Sequence, residues 1–376
     1  MSSYAKQRFN GIVVHSDCVH FKGDVPCRPH KEFGVHCDGC THYEPKDRSV
    51  LIIKLGAIGD VIRTTPLLHR VKQEFPTAEI WWLTQTPEIV PSAVHKVLPF
   101  TPESVVLLQS TRFDYVFNLD KDPAACAVMK SVKSRKKFGF TLVNGKPSPV
   151  NKHAVGKFLT GVFDDLSKQN TKSYPQEIFE ICGWKFQGEE YILDVDAEAK
   201  WPLSSDGPPV VGLNTGCGGR WTSRKWANER WSELARKLTS SGYRVLLLGG
   251  ESEHEVNSKI AKETGAEYLG CFPFKQFISL MNRCDVVVTV VTMALHIAIG
   301  LKKPVVLINN IFNPNEFELY GRGEIIQPER PCKCFYKPVC TNEEYRCIES
   351  VSVQKVFDSV VQAAQVKANG LKRSKV

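Results

Sequence analysis

The chain has 376 residues, of which 42% are hydrophobic, and it carries a formal net charge of +9. This length exceeds what one hydrophobic core usually contains, so we expect two main domains. The positive charge favours anionic partners such as nucleotides, phosphorylated glycans or a membrane surface, and it does not require nucleic acid. No apolar run is long enough to span a bilayer and the N-terminus lacks an apolar signal core, so we expect a cytoplasmic protein.

Residues 1–47 are rich in cysteine and histidine and show neither a helical nor a strand period. The 13 cysteines of the chain are many for a reducing compartment, where disulfides rarely persist. A segment of this kind cannot bury its own core, so a bound metal is the economical explanation, with zinc favoured over an iron–sulfur cluster. Redox-active thiols and inert cysteines are the alternatives. The candidate ligands in this segment are Cys18, Cys27, Cys37 and Cys40.

The stretch at residues 50–60 joins a buried-strand pattern to a glycine turn that ends in a carboxylate. Its β-branched start predicts a parallel strand, and Gly56 and Gly59 allow the backbone to turn sharply and to approach a ligand. Apolar residues then recur at helical spacing over residues 61–75. Asp60 is therefore expected where open α/β sheets bind ligands, although it could instead simply cap the helix.

Further short apolar runs at residues 79–84, 105–108 and 115–119 predict additional strands. Strands that alternate with helices indicate a parallel sheet covered by helices on both faces. Five positive charges fall within residues 130–137 and indicate either a solvated face or a contact with phosphate or membrane. Residues 195–209 are rich in turn-forming residues and predict a linker.

A second α/β pattern begins with a strand at residues 210–213, a glycine-rich loop at 214–219 and a helix at 228–240. Glycine amides, a hydroxyl and cations after a strand suit a diphosphate, and a plain loop is the alternative. The next strand ends in glycines and is followed by Glu253 and Glu255. These acids could accept hydrogen bonds from a ribose or could simply favour a helix dipole.

The last part of the chain predicts a strand at residues 284–292, a helix at 293–300 and a strand at 303–308. His296 falls within that helix, where a packed core histidine is commoner than a ligand contact. A second dense group of cysteines again favours a metal, although its Cys-x-Cys spacing is unusual, and the two groups could form two sites or one. This group consists of Cys332, Cys334, Cys340 and Cys347.

Three motifs resemble those of the heptosyltransferase-like glycosyltransferases, glycosyltransferase family nine. Residues 54–66 resemble the opening motif of that family, residues 225–231 its second and residues 295–306 its third. Their order and spacing match over residues 49–365. The resemblance implies the α/β GT-B fold, in which two Rossmann-like domains face a cleft, and the Cys-rich residues 1–47 form an extension outside the family core.

The domain boundaries that follow are residues 48–200 for an acceptor domain and residues 201–350 for a nucleotide-sugar domain. Residues 351–376 would form a C-terminal helix that packs back on the first domain, followed by a basic tail. The helical spacing of valines over residues 351–366 agrees with such a helix.

The implied activity is inverting transfer of a sugar, typically heptose from ADP-heptose, to a lipopolysaccharide core or related glycan, without a required cofactor. The acceptor would be lipid-linked or phosphorylated, with peripheral contact at the inner face of the cytoplasmic membrane. Asp60 would be the general base. The resemblance assigns the donor site to Thr215, Gly216, Lys225, Glu253, Glu255, Thr292, Met293 and His296.

The chain departs from the family at one point of the donor site. Members commonly carry Asp-Thr-Gly or Asp-Ser-Gly before the histidine-containing helix, whereas this chain has valine, threonine and methionine at residues 291–293. A carboxylate and a glycine are therefore missing. Two other functions remain open: a non-catalytic protein that binds sugar nucleotides or glycans, and a metal- or redox-sensing module.

Overall fold

The computed structural model describes residues 6–196, 198–203 and 207–373, and for residues 366–373 it describes the backbone alone. The chain divides into two compact units, Met1–Phe158 with Glu177–Glu189 and Leu159–Gln176 with Glu190–Val376. The boundary thus differs from the predicted one at residue 200, because residues 159–176 pack with the second unit. There, the Asn313 side-chain amide donates hydrogen bonds to the carbonyls of Ser167 and Asn170, both at 2.7 Å. Residues 197 and 204–206 of the predicted linker lie outside the described residues.

The N-terminal segment begins with a hairpin of β1 (Gln7–Phe9) and β2 (Ile12–Val14), followed by α1 (Arg28–Phe33). Asn10 and Gly11 connect the strands with positive φ angles of 49° and 85°, as tight hairpin turns require. After α1 the chain turns back, so that Pro45 pairs with Cys18 in an isolated antiparallel bridge before the chain enters the first sheet.

The first unit contains a sheet in the order β5-β4-β3-β6-β7-β8. Its neighbours pair in parallel except for the antiparallel pair β7 and β8. Its strands are β3 (Arg48–Ile53), β4 (Ala78–Thr84), β5 (Lys96–Pro99), β6 (Arg112–Asn118), β7 (Lys133–Val143) and β8 (Lys146–Pro149). The helices of residues 58–181 are α2 (Ile58–Ile62), α3 (Leu67–Glu74), α4 (Pro102–Ser110), α5 (Pro123–Ser131), α6 (Val155–Leu159), α7 (Asp164–Gln169) and α8 (Tyr174–Ile181).

Two predictions for this unit were wrong. The helix expected over residues 61–75 forms as α2 and α3, which are separated before Leu67 by Pro66, a residue without the amide proton that a continuous helix needs. The strand expected at residues 105–108 lies within α4. Thr101 caps α4 by accepting a hydrogen bond from the Ser104 amide, and Pro102 occupies its first turn, so these start signals outweigh the β-branched run.

The second unit contains a parallel sheet in the order β10-β9-β11-β12-β13. Its strands are β9 (Val210–Asn214), β10 (Arg244–Leu248), β11 (Val286–Val290), β12 (Val305–Ile308) and β13 (Gly323–Ile326). Its helices include α9 (Asn228–Ser240), α10 (His254–Thr264), α11 (Phe274–Met281) and α12 (Met293–Gly300). The α/β prediction is therefore confirmed in each unit.

The final helix, α13, spans Val353–Arg373 and continues beyond the end predicted at residue 366. That it packs back on the first domain stays a prediction. Val353, Val356 and Val360 are buried in the core of the second sheet, because their spacing places them on one helical face. The end of the predicted basic tail, residues 374–376, lies outside the described residues. Across the described part of the chain, no helix is both long and apolar enough to cross a lipid bilayer.

Candidate functional site

Asp60 lies in the first turn of α2, directly beyond the end of β3. Ala57 occupies the N-cap position of this helix, so Asp60 is not its capping residue. The Asp60 Oδ1 is 2.8 Å from Arg63 Nη2, and its Oδ2 is 3.8 Å from Lys54 Nζ. The side chain is 32% exposed. The carboxylate is therefore oriented by two cations and remains open to solvent on one side.

Lys54 connects Asp60 to a second carboxylate. Its buried ammonium lies 3.3 Å from Asp120 Oδ2, which also accepts a hydrogen bond from the Leu55 amide at 3.1 Å. Asp120 follows β6, which pairs with β3 in the sheet. Sequence reasoning missed Asp120, although an acid just beyond a strand was the signal used elsewhere in the chain.

The two predicted loop glycines differ in their surroundings. A Cβ added to Gly56 would lie 3.2 Å from Gln85 Oε1, so a larger residue would press on the neighbouring strand end. Gly59 lies within α2, next to Asp60. The close contact with Gln85 therefore gives a reason for glycine at residue 56.

A cavity of about 460 Å³ lies in the second unit, at the carboxyl ends of β9 and β11. Its wall combines the glycine-rich loop, three phenylalanines and the N-terminus of α12. Parallel sheets bind ligands at this edge, and a helix N-terminus favours anions. Of the predicted donor-site residues, four line this cavity: Gly216, Glu253, Thr292 and Met293.

Asn214 connects two walls of this cavity. Its Nδ2 lies 3.2 Å from the carbonyl of Gly216 and 3.2 Å and 3.4 Å from the hydroxyls of Thr289 and Thr292. Thr292 in turn caps α12 by accepting a hydrogen bond from the Ala294 amide. Asn214 therefore positions both the glycine-rich loop and the N-terminus of α12, and the sequence reasoning did not identify it.

Glu253 packs directly over the glycine-rich loop. Its Oε2 accepts a hydrogen bond from the Gly250 amide at 2.9 Å. A Cβ added to Gly216 would lie 2.4 Å from Glu253 Cδ, a separation that real Cβ atoms do not show. Glycine is therefore required at residue 216 for this carboxylate to lie where it does.

The cation that lines the cavity is Arg224 and not Lys225. Arg224 Nη2 donates a hydrogen bond to the carbonyl of Cys217 at 3.0 Å, and burial lowers the pKa of Arg224 to about 10, so it stays charged at neutral pH. Lys225 follows the short turn that carries Arg224, and its side chain is exposed. Contact of Lys225 with the donor stays a prediction, and Arg224 is the neighbouring cation that lines the cavity.

Three other predicted donor-site residues lie away from the cavity lining. The Thr215 hydroxyl donates to Asn257 Oδ1 at 2.6 Å in the interior. Glu255 is exposed on α10. His296 is buried in α12 and stacks on Tyr191, with the ring centroids 6.3 Å apart, which matches the expectation of a packed core histidine.

Val291 occupies the position where the family resemblance implies a carboxylate. It is 8% exposed and directly precedes Thr292 in the cavity wall. Val291 itself is not part of the cavity lining, so the structure places an apolar side chain behind the wall at this position.

The eight predicted metal-binding cysteines form two separate groups. Cys18, Cys27, Cys37 and Cys40 all line one cavity of about 290 Å³ within the N-terminal segment. In the C-terminal group, the Sγ atoms of Cys334 and Cys340 are 3.6 Å apart, and the Cys334 amide donates to Cys332 Sγ at 3.2 Å.

Hydrogen bonding separates the acidities of the C-terminal thiols. The hydrogen bond between Cys332 and Cys347 raises the pKa of Cys332 and lowers that of Cys347 to about 6. Burial opposes ionisation of Cys334, but hydrogen bonds from Thr341 outweigh it and lower the pKa of Cys334. Within the described residues, however, no three side chains of His, Cys, Asp or Glu are placed to hold one metal ion. The prediction of metal sites is therefore not confirmed.

Comparison with known proteins agrees with this architecture. Residues 188–345 match the model of glycosyltransferase family 9 (heptosyltransferase). Lipopolysaccharide heptosyltransferase 2 of Salmonella typhimurium is 24% identical over 170 residues, which cover 43% of this chain and 47% of that protein, about half its length. Lipopolysaccharide heptosyltransferase 1 of Pseudomonas aeruginosa is 23% identical over 321 residues, which cover 78% of this chain and 87% of the relative.

Among solved structures, the Escherichia coli ADP-heptose lipopolysaccharide heptosyltransferase II superposes with a TM-score of 0.63 at 18% identity. The superposition covers 85% of this chain and 99% of that structure, so the two proteins share the GT-B fold. Residues 188–345, which match the family, contain the whole cavity lining described above. The chain therefore has the GT-B fold, and its residues 188–345 are similar to glycosyltransferase family 9.

Proposed function

We propose that this protein is an inverting glycosyltransferase that moves a sugar from a nucleotide-diphosphate donor to a lipopolysaccharide core or related glycan. The observation that carries the proposal is the cavity of the second unit, where Arg224 and the N-terminus of α12 meet the glycine-rich loop. A cation, the positive end of a helix dipole and a closely approaching backbone suit a diphosphate without a metal ion.

In this proposal the donor diphosphate lies against Arg224 and the amides at the start of α12. These groups would neutralise the charge that builds up on the leaving diphosphate during transfer. Glu253 would accept hydrogen bonds from the ribose hydroxyls, since its carboxylate lies at the cavity edge. Phe272 and Phe274 offer an apolar wall on which the nucleobase can stack.

Asp60 would act as the general base on the acceptor. The acceptor hydroxyl would lose its proton to the Asp60 carboxylate while its oxygen bonds to the anomeric carbon. The bond from that carbon to the diphosphate would break in the same step, with the electron pair leaving on the nucleoside diphosphate, so the configuration inverts. Arg63 and Lys54 would hold the carboxylate towards the acceptor.

We propose ADP-heptose or a close relative as the donor. The Escherichia coli protein with this fold is an ADP-heptose lipopolysaccharide heptosyltransferase II, which supports this donor class. Val291 distinguishes the present chain, because it is apolar where the resemblance implies a carboxylate and directly precedes the lining residue Thr292. The sugar could therefore differ from heptose while the adenine nucleotide stays the same.

The test is a two-stage assay on the purified full chain. Thermal-shift measurements with ADP, GDP, UDP and their sugars identify the nucleotide, because a ligand of the native state raises the melting temperature. Transfer to a heptose-deficient lipopolysaccharide core is then followed by mass spectrometry. Stabilisation by ADP-heptose with a product one sugar heavier supports the proposal. Stabilisation without product supports the non-catalytic sugar-nucleotide-binding alternative instead.

We further propose that the acceptor is lipid-linked and that the protein works at the inner face of the cytoplasmic membrane. Four large apolar side chains of residues 159–166 are exposed, at the end of α6, in the turn that follows it and in the first part of α7. Cations at residues 157, 168 and 172 flank this apolar group and would favour anionic lipid. The group consists of Leu159, Val162, Phe163 and Leu166.

Co-sedimentation with anionic and neutral vesicles tests this contact. Val162→Ser and Phe163→Ser should each reduce binding to anionic vesicles, whereas Val106→Ser, at an exposed position of α4, should not. Equal binding by all variants, or association of the chain with itself in place of vesicles, would refute the membrane contact.

We also propose a structural zinc ion for the C-terminal cysteines. Four sulfurs at about 2.3 Å from a tetrahedral zinc ion lie about 3.8 Å from one another, close to the 3.6 Å between Cys334 and Cys340. The pair of Cys332 and Cys347 would have to turn towards that ion, since the four thiols are not yet arranged around one point. One zinc per chain that is lost in Cys334→Ser would support the site.

A further inference from the structure

A cysteine, a histidine and a tyrosine form a cluster at the surface of the second unit, outside the lining of its cavity. Cys271 Sγ lies 3.2 Å from the hydroxyl of Tyr268 and 3.8 Å from Nδ1 of His254. The Tyr268 hydroxyl lies 3.1 Å from the same nitrogen of His254. Each of the three polar atoms is therefore close enough to form a hydrogen bond with the other two. These three residues are called here the Cys271 cluster.

The fold brings the Cys271 cluster together from two separate stretches of the chain. His254 is the first residue of α10. Glu267 pairs with β10, because its amide and its carbonyl each form a 2.8 Å hydrogen bond with the backbone of that strand, and this fixes the neighbouring Tyr268. Gly270 then has a φ angle of 107°, which favours glycine, and the chain turns there into Cys271. The cluster is therefore built on a helix start and a strand edge.

The three side chains of the cluster can share one proton. When the sulfur is protonated, the thiol can donate to the Tyr268 hydroxyl, and that hydroxyl can donate to His254 Nδ1. When the proton lies on His254 Nδ1 instead, the thiolate can accept hydrogen bonds from both neighbours. Burial, followed by the hydrogen bond to Cys271, raises the pKa of Tyr268, so the tyrosine keeps its proton and remains a donor. A base beside a thiol, with a second donor to the sulfur, is an arrangement that activates a cysteine nucleophile.

The Cys271 thiol is also accessible to reagents in solution. All 13 cysteines lie in the part of the chain that the structure describes, and Cys271 is the exposed one among them. The others are buried or half-buried. Thiol–disulfide exchange needs a thiolate and access to it, and Cys271 combines a neighbouring base with exposure. It is therefore the favoured thiol of this chain for exchange with a small disulfide.

We propose that Cys271 is a reactive thiol that forms a mixed disulfide with low-molecular-weight disulfides, with His254 as its proton acceptor. The proton of Cys271 moves to His254 Nδ1, and the thiolate attacks one sulfur of the small disulfide. A bond forms between Cys271 Sγ and that sulfur while the S–S bond of the reagent breaks. The released thiolate takes the proton from His254. Cys271 is thus oxidised and half of the reagent is reduced to a thiol, so no further oxidant is needed.

A mixed disulfide at Cys271 acts on the cavity of the second unit through its neighbours in the chain. Cys271 directly precedes Phe272 and His254 directly follows Glu253, and both of these neighbours line the cavity. The Phe272 ring packs against that of Trp201, with centroids 4.8 Å apart and the rings at 80°. The added group takes up space beside the Cys271 cluster and displaces this part of the wall. The modification therefore weakens nucleotide binding, a consequence that rests on the proposed donor site.

The first test exposes the reduced full chain to oxidised glutathione at pH 7. Peptide mass spectrometry over time should find the glutathione adduct at Cys271 before any other cysteine, and a thiol reductant should remove it. An adduct that forms at another cysteine as fast as at Cys271, or no adduct at Cys271, would overturn the proposal.

Variants distinguish activation by His254 from exposure alone. His254→Asn keeps a polar side chain but removes the base, so adduct formation at Cys271 should slow roughly tenfold to thirtyfold, because an unassisted thiol is only a few per cent thiolate at neutral pH. Tyr268→Phe should slow it less, since the base remains. His153→Asn, at an exposed position of the first unit, is the control and should leave the rate unchanged. An unchanged rate in His254→Asn would refute the role of the histidine.

Binding of ADP to the modified chain tests the effect on the cavity separately. Complete modification of Cys271 should raise the dissociation constant of ADP at least about fivefold, measured by isothermal titration calorimetry. Cys271→Ser should keep the wild-type affinity with and without oxidised glutathione. Equal affinity in the reduced and the fully modified chain would overturn the effect on the cavity. A reduced chain that binds no ADP would contradict the proposed donor site, while the adduct measurements still test Cys271 itself.

Discussion

The side-chain amide of Asn310 donates a 2.9 Å hydrogen bond to the backbone carbonyl of Ser223. The same Nδ2 lies 3.5 Å from Cys347 Sγ. Ser223 is also held by residues 332–347, the loop that carries the C-terminal group of cysteines and is called here the C-terminal cysteine loop. The Ser223 amide donates to the Pro338 carbonyl at 3.0 Å, and its hydroxyl donates to the Lys337 carbonyl at 2.7 Å. The C-terminal cysteine loop therefore fixes the residue that immediately precedes Arg224. It supports the position of this cavity-lining cation although the loop itself does not line the cavity.

Removal of this support should weaken donor binding. We expect Asn310→Ala to raise the dissociation constant of ADP roughly fivefold to tenfold, as loss of about 1 kcal/mol predicts. Isothermal titration calorimetry measures the change. Asn315→Ala is the matched control, because the Asn315 side chain bonds to the Asn170 carbonyl instead. Equal affinity in wild type and Asn310→Ala would show that Ser223 needs no such support.

Arg224 should matter more than Lys225 for binding the donor diphosphate. Arg224 lines the cavity and Lys225 is exposed, so Arg224→Met should weaken ADP binding about 10-fold to 100-fold and Lys225→Met much less. The two adjacent substitutions change charge and length alike, which makes each the control of the other. A larger loss for Lys225→Met would reverse the assignment of the cation.

Asp60→Asn should abolish sugar transfer while ADP affinity stays nearly unchanged. The substitution keeps the shape of the side chain and removes the base, so kcat should fall by about 10²-fold to 10⁴-fold. Asp122→Asn is the control, because Asp122 caps α5 and asparagine caps helices equally well. Turnover of Asp60→Asn at the wild-type rate under saturating substrates would exclude Asp60 as the base.

Gly216→Ala should disrupt the donor cavity, whereas Gly219→Ala should be tolerated. The new Cβ at residue 216 would lie 2.4 Å from Glu253 Cδ, but at residue 219 it would meet no atom within 4 Å. We expect loss of ADP stabilisation in thermal-shift measurements for the first variant alone. Adding Glu253→Ala should restore part of it by removing the clash. Equal behaviour of the two glycine variants would contradict this packing.

Lys121 should make stability depend on pH in the alkaline range. Burial, followed by repulsion from Lys157, lowers the pKa of Lys121 to about 8, whereas the unfolded chain has the ordinary lysine value of about 10.4. Between these values the unfolded state binds more protons, so the free energy of unfolding rises with pH.

The substitution Lys121→Met tests this sign. The variant should be more stable than wild type at pH 7, by up to about 3 kcal/mol, and the difference should shrink between pH 8 and pH 10. Melting temperatures across this range measure it. Lys152→Met, at an exposed position, should show no such trend. A difference that grows with pH would contradict the buried-lysine explanation.

The sequence alone determined the elements whose signals are local. The buried runs of β3, β9 and β11, and the helices α9 and α12, could be predicted because burial and periodicity are written in neighbouring residues. The motif that places Asp60 after β3 is local in the same way. At residues 105–108 two local signals conflicted, and the helix start at Thr101 outweighed the β-branched run.

Only the tertiary structure decided which side chains share a site. Asp120 meets Lys54 because β6 pairs with β3, a contact between residues far apart in the chain. Arg224 and Lys225 are neighbours of equal charge, and the backbone turn that carries them directs one into the cavity and leaves the other exposed. Spacing along the chain cannot predict which of the two cations lines the cavity. That depends on the orientation of the short turn, and Ser223 in this turn is held by the C-terminal cysteine loop, which is distant in the sequence.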